Sequence, residues 1–546
     1  MLKHSKMARR QFLASLAAGM ASAAQMETDG FDVRRINNFA PFSIRMREPY
    51  ELAGKRLFFQ NWYYIRPGDL AWRDEAGKQV GLEDALPPGT ANLTHKDRPF
   101  GIRLVAQKAQ RIGPLLEPDR PWEEGAGVAL TTVIKDGGIY RGWFTRCVTS
   151  GDPPGMKHYC YFESSDGLSW KRPNLGLVEV NGSRANNIID IPDRPIDGSI
   201  FIDPSAPPAE RYKLLAHTVF PGEICKAYAR RRPKDWDPMV TPKADGGGHG
   251  LFGAVSPDGL HWTKLREPLV LEFTDTQVIA YYDQALRKYV AYTRTWVGGS
   301  TGRRSIGRSE TSDYRNFPLH ETILEPGPEL LPSDTLYYNG KTTMPGAPDH
   351  HLLFPTIWHT AHDSTSVALA SSHDGKLWHS LADSPVFSTG PFGAFDGGVL
   401  FAHPNLVELP DGRFALPYTG FSVPHKYPRK LWKFAPGYAI WPKGRLVALE
   451  ARERGEFTTA GIVPRGRTAR INALTRRGGS ISVEAAELDG KPLPGHSFAD
   501  ARPIVGDHHW TTLSWGGKED LGHKNNNGIV FRFRLDQAEV YGLEFV

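Results

Sequence analysis

The pattern of apolar and polar positions changes once along the chain. Up to about residue 442, short apolar runs are separated by turns rich in Gly, Asp and Pro, which is typical of many short strands. From about residue 445, apolar and polar residues alternate, as in 481–485 (Ile-Ser-Val-Glu-Ala) and 529–535 (Ile-Val-Phe-Arg-Phe-Arg-Leu). Alternation places charges on one face and large apolar groups on the other, as in a half-exposed antiparallel sheet. We therefore expect a C-terminal β-sandwich over residues 443–546.

One seven-residue pattern, [Ser/Thr]-x-Asp-x-x-x-[Trp/Phe], recurs along the first part of the chain. Its four copies are 164–170, 256–262, 311–317 and 372–378. In such a turn the Asp accepts backbone N–H bonds, the Gly that follows it in three copies takes a positive φ, and the aromatic ring packs between neighbouring sheets. Four copies predict a recurring sheet unit, with four unrelated surface turns as the alternative.

Each copy is preceded by an acidic residue at the start of an apolar stretch. These acids are Glu123, Asp197, Asp275 and Asp334, and a fifth unit that lacks the aromatic turn begins at Asp396. Five units of about four strands each predict an all-β fold, a five-bladed β-propeller over residues 115–442 followed by the β-sandwich. Residues 25–114 carry no repeat. We expect them to close or cap the propeller, with the aromatic run 58–64 packed mainly in the core.

Composition agrees with a folded, turn-rich chain and argues against nucleic acid as a partner. The 546 residues include 56 glycines and 43 prolines, which is high for a helical protein. The formal charge of +6 depends on the N-terminus, because residues 1–24 carry four basic side chains and no acid. The remaining 62 basic residues are balanced by 60 acidic ones. A nearly neutral chain gives no reason to expect a phosphate-backbone ligand.

The N-terminus resembles a bacterial export leader. A basic stretch leads to 9–13 (Arg-Arg-Gln-Phe-Leu) and then to a small-residue apolar segment, an order similar to the twin-arginine signal. The apolar segment is too short to span a bilayer. We expect residues 1–24 to be a Tat-type signal peptide, cleaved near Ala23 or Ala24, and the protein to be periplasmic or secreted. An uncleaved amphipathic N-terminus is the alternative.

The predicted propeller places the candidate chemistry at one end of its central channel. The first residues of the innermost strands converge there, so the five acids are expected to meet. A cluster of carboxylates can supply both a protonated acid and an ionised base, which hydrolysis of a glycosidic bond requires. We expect Asp275, Asp334 and Asp396 to be the principal catalytic residues, with Glu123 and Asp197 as secondary candidates. Each has an alternative role, bonding to backbone amides or holding a cation.

Flat side chains with polar edges on nearby loops are candidates for sugar binding. They are Trp296, Tyr337, Tyr338, Trp358, His359 and His425. Packing between blades is the alternative role for each of them.

The repeated turns, the phase of the five units and the tail together resemble the five-bladed glycoside hydrolases of families 32 and 43, the invertase/fructanase and arabinanase groups. In the tail, the resemblance lies at 444–446 (Gly-Arg-Leu), 469–472 (Ala-Arg-Ile-Asn) and 541–545 (Tyr-Gly-Leu-Glu-Phe). The resemblance implies hydrolysis of a glycoside, often one that contains a furanose. The standard catalytic motifs of those families, Asn-Asp-Pro-Asn-Gly and Glu-Cys, are absent from the chain.

The sequence therefore predicts an exported glycoside hydrolase with a carbohydrate substrate, no membrane span and no nucleic-acid partner. Two alternatives stay open: a carbohydrate-binding protein without catalysis, and a polysaccharide lyase using Tyr337 with His359. No cofactor is expected, and no ligand spacing argues for Ca²⁺. No CxxC, HExxH or GxxxxGK[ST] motif occurs, and three cysteines allow at most one internal disulfide. The oligomeric state is left open.

Overall fold

The computed structural model describes residues 49–67, 72–73, 79–80, 99–123, 127–147, 158–193, 195–237, 240, 247–298, 302–523 and 527–546. The predicted leader, residues 1–24, lies outside these ranges. The chain divides into two compact units, of which the larger comprises Glu48–Arg66 and Pro99–Val546. In the smaller, the described residues form one antiparallel strand pair, Trp72–Arg73 with Gln79–Val80.

The described part of the larger unit is nearly all β. Its α-helix is Gly222–Arg231, and short 3₁₀ turns cover Trp62–Tyr64, Pro121–Glu123, Pro208–Glu210, Arg429–Leu431 and Pro442–Gly444. Five successive antiparallel sheet units follow one another along the chain, numbered 1 to 5 here. Unit 1 contains the strands Ala129–Asp136, Ile139–Cys147, His158–Ser164 and Ile188–Ile189. Unit 2 contains Ile196–Ile202, Tyr212–Phe220, Gly248–Ser256 and Thr263–Lys264. Unit 3 contains Ile279–Asp283, Lys288–Val297, Arg303–Thr311 and Glu321–Leu324.

Unit 4 consists of two four-stranded halves, because each of its long strands is interrupted. One half contains Asp334–Tyr338, Thr356–His359, Ser364–Val367 and Phe387–Ser388, and the other Thr342–Met344, Ala347–Leu353, Ala370–Ser372 and His379–Ser380. Unit 5 contains Val399–Ala402, Phe414–Phe421 and Phe434–Trp441, with Val407–Glu408 paired to the second of these. Its outermost strand, Gln110–Ile112, comes from the N-terminal segment and pairs antiparallel with Phe434–Trp441.

The repeated turns have the predicted geometry. In unit 1, the Asp166 carboxylate accepts hydrogen bonds from the backbone N–H groups of Leu168 and Ser169, at 2.8 and 2.7 Å. The Asp258 and Asp374 carboxylates each accept the two corresponding bonds in units 2 and 4. The glycines that follow these aspartates have φ values of 78°, 80° and 69°. Each turn connects the third strand of its unit to the fourth.

Buried apolar clusters lie between successive units, and the units contact one another in a series that returns from unit 5 to unit 1. The clusters centre on Trp143, Tyr212 and Trp262 between units 1 and 2; Tyr314 and Phe317 between 2 and 3; Tyr292 and Trp378 between 3 and 4; and Tyr140 and Tyr438 between 5 and 1. Trp262, Phe317 and Trp378 are the aromatic residues of the repeated turns, so their predicted packing between sheets is confirmed. Truncation of one buried aromatic ring typically costs about 3–5 kcal/mol.

The C-terminal residues form one hydrogen-bonded sheet of eight strands together with N-terminal strands. Its strands are Tyr50–Glu51, Arg56–Phe58, Arg103–Ala106, Val447–Thr458, Ile462–Val463, Ala469–Glu487, Asp507–Thr512 and Ile529–Phe545. The predicted alternation is present, since Phe531, Phe533 and Leu535 are buried between less buried arginines. A division into two layers remains a prediction.

The N-terminal aromatic run mostly packs in the core, as expected. Phe58, Phe59 and Tyr64 are buried in the cluster shared by the C-terminal sheet and units 4 and 5, whereas Trp62 is half exposed. Among the cysteines, Cys160 is disulfide-bonded, and Cys225 is buried with its Sγ 3.7 Å from the Phe220 carbonyl oxygen.

Candidate active site

The five units meet around a narrow central cavity. It is lined by residues of every unit: Ala129, Leu130, Thr131, Thr145, Asp197, Gly198, Gln277, Tyr338, Phe401, His403, Thr419 and Phe421. Its volume is about 40 Å³, and a water molecule needs roughly 10–15 Å³. The cavity is therefore narrow and has room for only a few water molecules, and we call the surface around its opening the rim.

Gln277 lines this cavity and connects unit 3 to units 4 and 5 through its side-chain amide. Its side-chain amide donates to the Ala402 carbonyl in unit 5, 2.9 Å away, and its oxygen accepts from the Gly340 N–H in unit 4 at 3.0 Å. Nothing in the sequence distinguished this glutamine, because its partners are 63 and 125 residues distant.

Asp197 occupies an irregular position at the start of the first strand of unit 2. Its φ is +53°, in the left-handed region, and the strand register shifts between Ile196 and Ser199. A bulge of this kind redirects a side chain, and such bulges are over-represented next to active sites. The Asp197 carboxylate accepts a hydrogen bond from the Tyr338 hydroxyl, 2.9 Å away. The bulge thus points the carboxylate across the cavity toward unit 4.

Asp275 lies beside Asp197, just before the first strand of unit 3. The two segments are joined because the Val278 N–H donates to the Asp197 carbonyl at 2.9 Å. Asp275 forms an ion pair with Arg294, whose side chain is 1% exposed while that of Asp275 is 50% exposed. Burial raises the pKa of the nearby Tyr337 hydroxyl, and the negative charges of Asp275 and Asp197 raise it further against the opposing effect of Arg294 and Arg304. The negative charges of Asp197 and Asp275 are therefore both felt at the Tyr337 hydroxyl.

Aromatic side chains form a wall along the rim beside these carboxylates. We define the aromatic wall as Phe273, Trp296, Tyr337, Trp358 and His425. The ring centroids of Phe273 and Trp296 are 6.0 Å apart, and those of Tyr337 and Trp358 are 5.4 Å apart. The Tyr337 hydroxyl lies 3.2 Å from Nε2 of His425. Four of the five members were predicted from the sequence, and the structure brings them together across units 3, 4 and 5.

Two arginines that the sequence analysis did not single out contact this wall. The guanidinium of Arg294 lies 4.7 Å from the Tyr337 ring centroid and 5.7 Å from that of Trp296. The guanidinium of Arg304 lies 4.9 Å from Trp296, 5.4 Å from Tyr337 and 5.5 Å from Trp358. Arg304 is paired directly opposite Trp296 in unit 3, and Arg294 is two residues before Trp296 on the same strand face.

Asp334 and His359 form a separate pair at the start of unit 4. His359 Nδ1 lies 3.2 Å from the Asp334 carboxylate, and His359 Nε2 lies 2.9 Å from the Ser366 hydroxyl. The two residues are directly opposite each other on neighbouring strands. The Asp334 side chain is only 5% exposed. Neither residue lines the central cavity.

Glu123 and Asp396 are placed in buried ion pairs away from the cavity lining. The Glu123 side chain is 0% exposed, and its two oxygens accept from Arg172 at 2.7 and 2.9 Å. Asp396 pairs with Arg111 and accepts a hydrogen bond from the Tyr418 hydroxyl at 2.8 Å. Of the five acids expected to converge, only Asp197 and Asp275 therefore lie at the rim. Arginines from other segments hold Glu123 and Asp396 in the protein interior, and Asp334 is buried beside His359.

The described residues contain neither a cluster of metal-ligating side chains nor a long apolar helix. No group of three or more His, Cys, Asp and Glu side chains in that part of the chain is arranged to hold a metal ion. Within the same residues, no helix has the length and apolar character needed to cross a bilayer.

Comparison with known proteins gives structural likenesses only. No protein-family model and no curated protein sequence matches the chain. A structure described as a glycoside hydrolase matches with 11% identity and a TM-score of 0.41, over 61% of this chain and 91% of that one. A GH32 β-fructofuranosidase from Bombyx mori matches at 10% and 0.34, over 80% and 95%. A β-1,2-mannobiose phosphorylase from Listeria innocua matches at 14% and 0.39, over 60% and 95%. The chain is thus similar in structure to glycoside hydrolases, at a distance too great to transfer an activity.

Proposed function

We propose that this protein is a glycoside hydrolase that cleaves a glycosidic bond in an oligo- or polysaccharide, with Asp197 and Asp275 as its carboxylate pair. The observation that carries the proposal is their joint position. Two carboxylates from adjacent units lie at one rim, beside a wall of aromatic rings. The segments that carry them are joined by the backbone hydrogen bond from the Val278 N–H to the Asp197 carbonyl. Rings suit the apolar faces of sugars, and a carboxylate pair suits acid–base cleavage.

The surroundings of Asp275 favour one of the two roles. Arg294 stabilises the negative charge of Asp275, as a nucleophile or a water-activating base requires, and the half-exposed Asp275 side chain is accessible from the rim. Asp197 is assigned the complementary role of proton donor to the leaving oxygen. The Tyr338 hydroxyl, 2.9 Å away, positions its carboxyl group.

The same proposal includes the architecture. We interpret units 1 to 5 as the blades of a five-bladed β-propeller, with the N-terminal strand Gln110–Ile112 completing the fifth blade. The return of contacts from unit 5 to unit 1 and the cavity lined by all five units support this interpretation. The C-terminal residues are interpreted as a β-sandwich built with N-terminal strands.

Purified protein incubated with furanosides, pyranosides and uronate-containing oligosaccharides tests the activity. Asp197→Asn and Asp275→Asn should each lower kcat/KM by at least about 1,000-fold, because each removes a group that acts in the transition state. Asp411→Asn is the matched control, since the Asp411 side chain is 52% exposed, pairs with an arginine and lies in a turn of unit 5. Turnover retained by both site variants, with circular dichroism showing folded protein, would contradict the assignment.

A polysaccharide lyase is the second candidate, favoured by the contact between the Tyr337 hydroxyl and His425 beside two arginines. A lyase needs a base that removes a sugar proton. Burial raises the pKa of Tyr337, so this phenol keeps its proton and suits donation better than abstraction. An unsaturated sugar product, detected by its ultraviolet absorbance, would establish the lyase and exclude the hydrolase. Saturable glycan binding with no cleavage would instead identify a binding protein.

Export is proposed from the leader alone. We expect the mature protein to begin after Ala23 or Ala24 and to be found outside the cytoplasm. N-terminal sequencing of protein from a bacterial periplasm, with and without replacement of Arg9 and Arg10 by lysine, tests this. Full-length protein retained in the cytoplasm of the unmodified strain would contradict it.

A further inference from the structure

We propose that Arg294 and Arg304 form an oxyanion subsite, which holds a negatively charged substituent of the glycan, a carboxylate or a sulfate ester. This inference rests on the proposed function, because it names the class of sugar that the same rim accepts.

The two guanidinium groups share the same surroundings but only one ion-pair partner. Both contact the rings of Trp296 and Tyr337. Arg294 pairs with Asp275, whereas Arg304 forms no ion pair with any described residue. Burial and the positive charge of Arg294 lower the pKa of Arg304, against the smaller effects of Tyr337 and Asp275. The subsite therefore contains one guanidinium group, that of Arg304, with no direct carboxylate partner among the described residues.

Two other partly buried arginines of this protein have carboxylate partners. Arg308, on the same strand as Arg304, pairs with Glu310 at 2.7 Å. Arg172 forms two bonds with Glu123. Because burying an unpaired charge is costly, proteins normally supply such a partner. Arg304 differs from this pattern at the one rim where a ligand is expected.

Three unused hydrogen-bond donors lie on neighbouring side chains of this site. Nε of Arg294, Nε of Arg304 and Nε1 of Trp296 are all buried and have no hydrogen-bond partner among the described residues. A buried donor left without an acceptor typically costs about 1–3 kcal/mol. Three such donors on neighbouring side chains favour an acceptor supplied from outside the chain.

The chemistry of that acceptor follows from the donors. Guanidinium groups bind carboxylate, sulfate and phosphate oxygens through charge-assisted bonds about twice as strong as neutral ones. A sugar hydroxyl could accept one bond but would leave the positive charge uncompensated. A uronate or a sulfated sugar neutralises it while its ring packs on the aromatic wall. The rest of such a glycan extends toward Asp275, where cleavage is proposed.

Binding is measured first, because it does not depend on cleavage. Matched oligosaccharides that are neutral, uronate-containing and sulfated are titrated into wild-type protein, Arg304→Met and Arg304→Lys by calorimetry at low salt. We expect wild type to prefer the anionic glycans, and we expect Arg304→Met to weaken their binding by about 10- to 100-fold and the binding of neutral glycans by a smaller factor. Arg304→Lys should recover part of the loss, since it restores the charge without the planar fork. Arg413→Met is the control for loss of a surface arginine, because Arg413 pairs with Asp411 in a turn of unit 5.

The outcomes separate this inference from the proposed function. Anion-selective binding that depends on Arg304, with no cleavage of any glycan, supports the subsite and contradicts the hydrolase. Cleavage of neutral and anionic glycans with equal efficiency, unchanged in Arg304→Met, supports the hydrolase and overturns the subsite. Cleavage of a neutral glycan only in the presence of inorganic phosphate would also overturn it, because the anion would then be a free co-substrate. Folded Arg304→Lys provides the comparison if Arg304→Met fails to fold.

Discussion

The side chain of Arg294 is almost completely buried, whereas the carboxylate of Asp275 that pairs with it is half exposed at the rim. This asymmetry lets one ion pair serve two purposes. The buried guanidinium orients the carboxylate from behind, and the exposed side of the carboxylate stays accessible to a ligand. The same guanidinium also donates to the Tyr337 carbonyl at 3.4 Å, which connects units 3 and 4.

Asp275→Asn should lower stability as well as activity. An asparagine of the same shape leaves the Arg294 charge buried without a partner. We expect the free energy of unfolding to fall by about 2–3 kcal/mol, less than for a fully buried pair because water reaches this carboxylate. Urea unfolding of Asp275→Asn and of the surface control Asp411→Asn measures the difference. Equal stability of the two variants would show that Arg294 is solvated in the folded protein.

Glu123→Gln should affect stability and leave catalysis unchanged. Glu123 is fully buried and accepts two bonds from Arg172 and one from the Asp119 N–H at 3.2 Å. Removing its charge should cost about 2–3 kcal/mol, because Arg172 loses its buried carboxylate partner and keeps only the exposed Asp119 carboxylate, 3.1 Å away. Turnover per folded molecule should stay within about 2-fold of wild type. A loss of turnover comparable to that of Asp275→Asn would instead show that Glu123 takes part in catalysis, as the sequence predicted.

Gly259→Ala should disrupt the contact between units 1 and 2. Gly259 has φ +80°, and an added Cβ would lie 2.7 Å from the Trp143 ring. The Trp143 indole also donates to the Gly259 carbonyl at 2.8 Å. We expect a loss of about 2–4 kcal/mol from backbone strain and overpacking together. Gly176→Ala separates the two effects, because Gly176 has φ +70° but no atom within 4 Å of the added Cβ. The free energy of unfolding of Gly176→Ala should fall by only about 1 kcal/mol.

Lys341 should make stability depend on pH above neutrality. Burial lowers the pKa of Lys341 to about 7, partly opposed by Asp283, and its ammonium lies 4.5 Å from the Tyr281 ring centroid. The unfolded chain has a higher lysine pKa, so between about pH 7 and 10 it binds more protons than the folded state and stability rises with pH. The free energy of unfolding of wild type, relative to that of Lys341→Met, should rise by about 1.4 kcal/mol per pH unit in this window. Urea unfolding of both proteins at about pH 7.5 and about pH 9 tests it, and a constant difference would show that Lys341 titrates normally.

The sequence by itself determined the features that depend on neighbouring residues. The repeated turns were predictable because Asp166, Asp258 and Asp374 bond to backbone groups two and three residues later. The alternation of the C-terminal strands was predictable because successive side chains of a strand point to opposite faces. These interactions form within a short segment and do not require knowledge of the rest of the chain.

Only the tertiary structure decided which charged residues reach the rim. Asp197 and Asp396 occupy equivalent positions in the repeat, yet one lies at the cavity and the other pairs with Arg111, 285 residues away in sequence. The neighbouring guanidinium groups of Arg294 and Arg304 arise from strand register, and their shared aromatic wall requires Tyr337 from another unit. Electrostatic and hydrogen-bond partners are set by distance in space, and the long connections that bring such residues together leave no periodic pattern in the sequence.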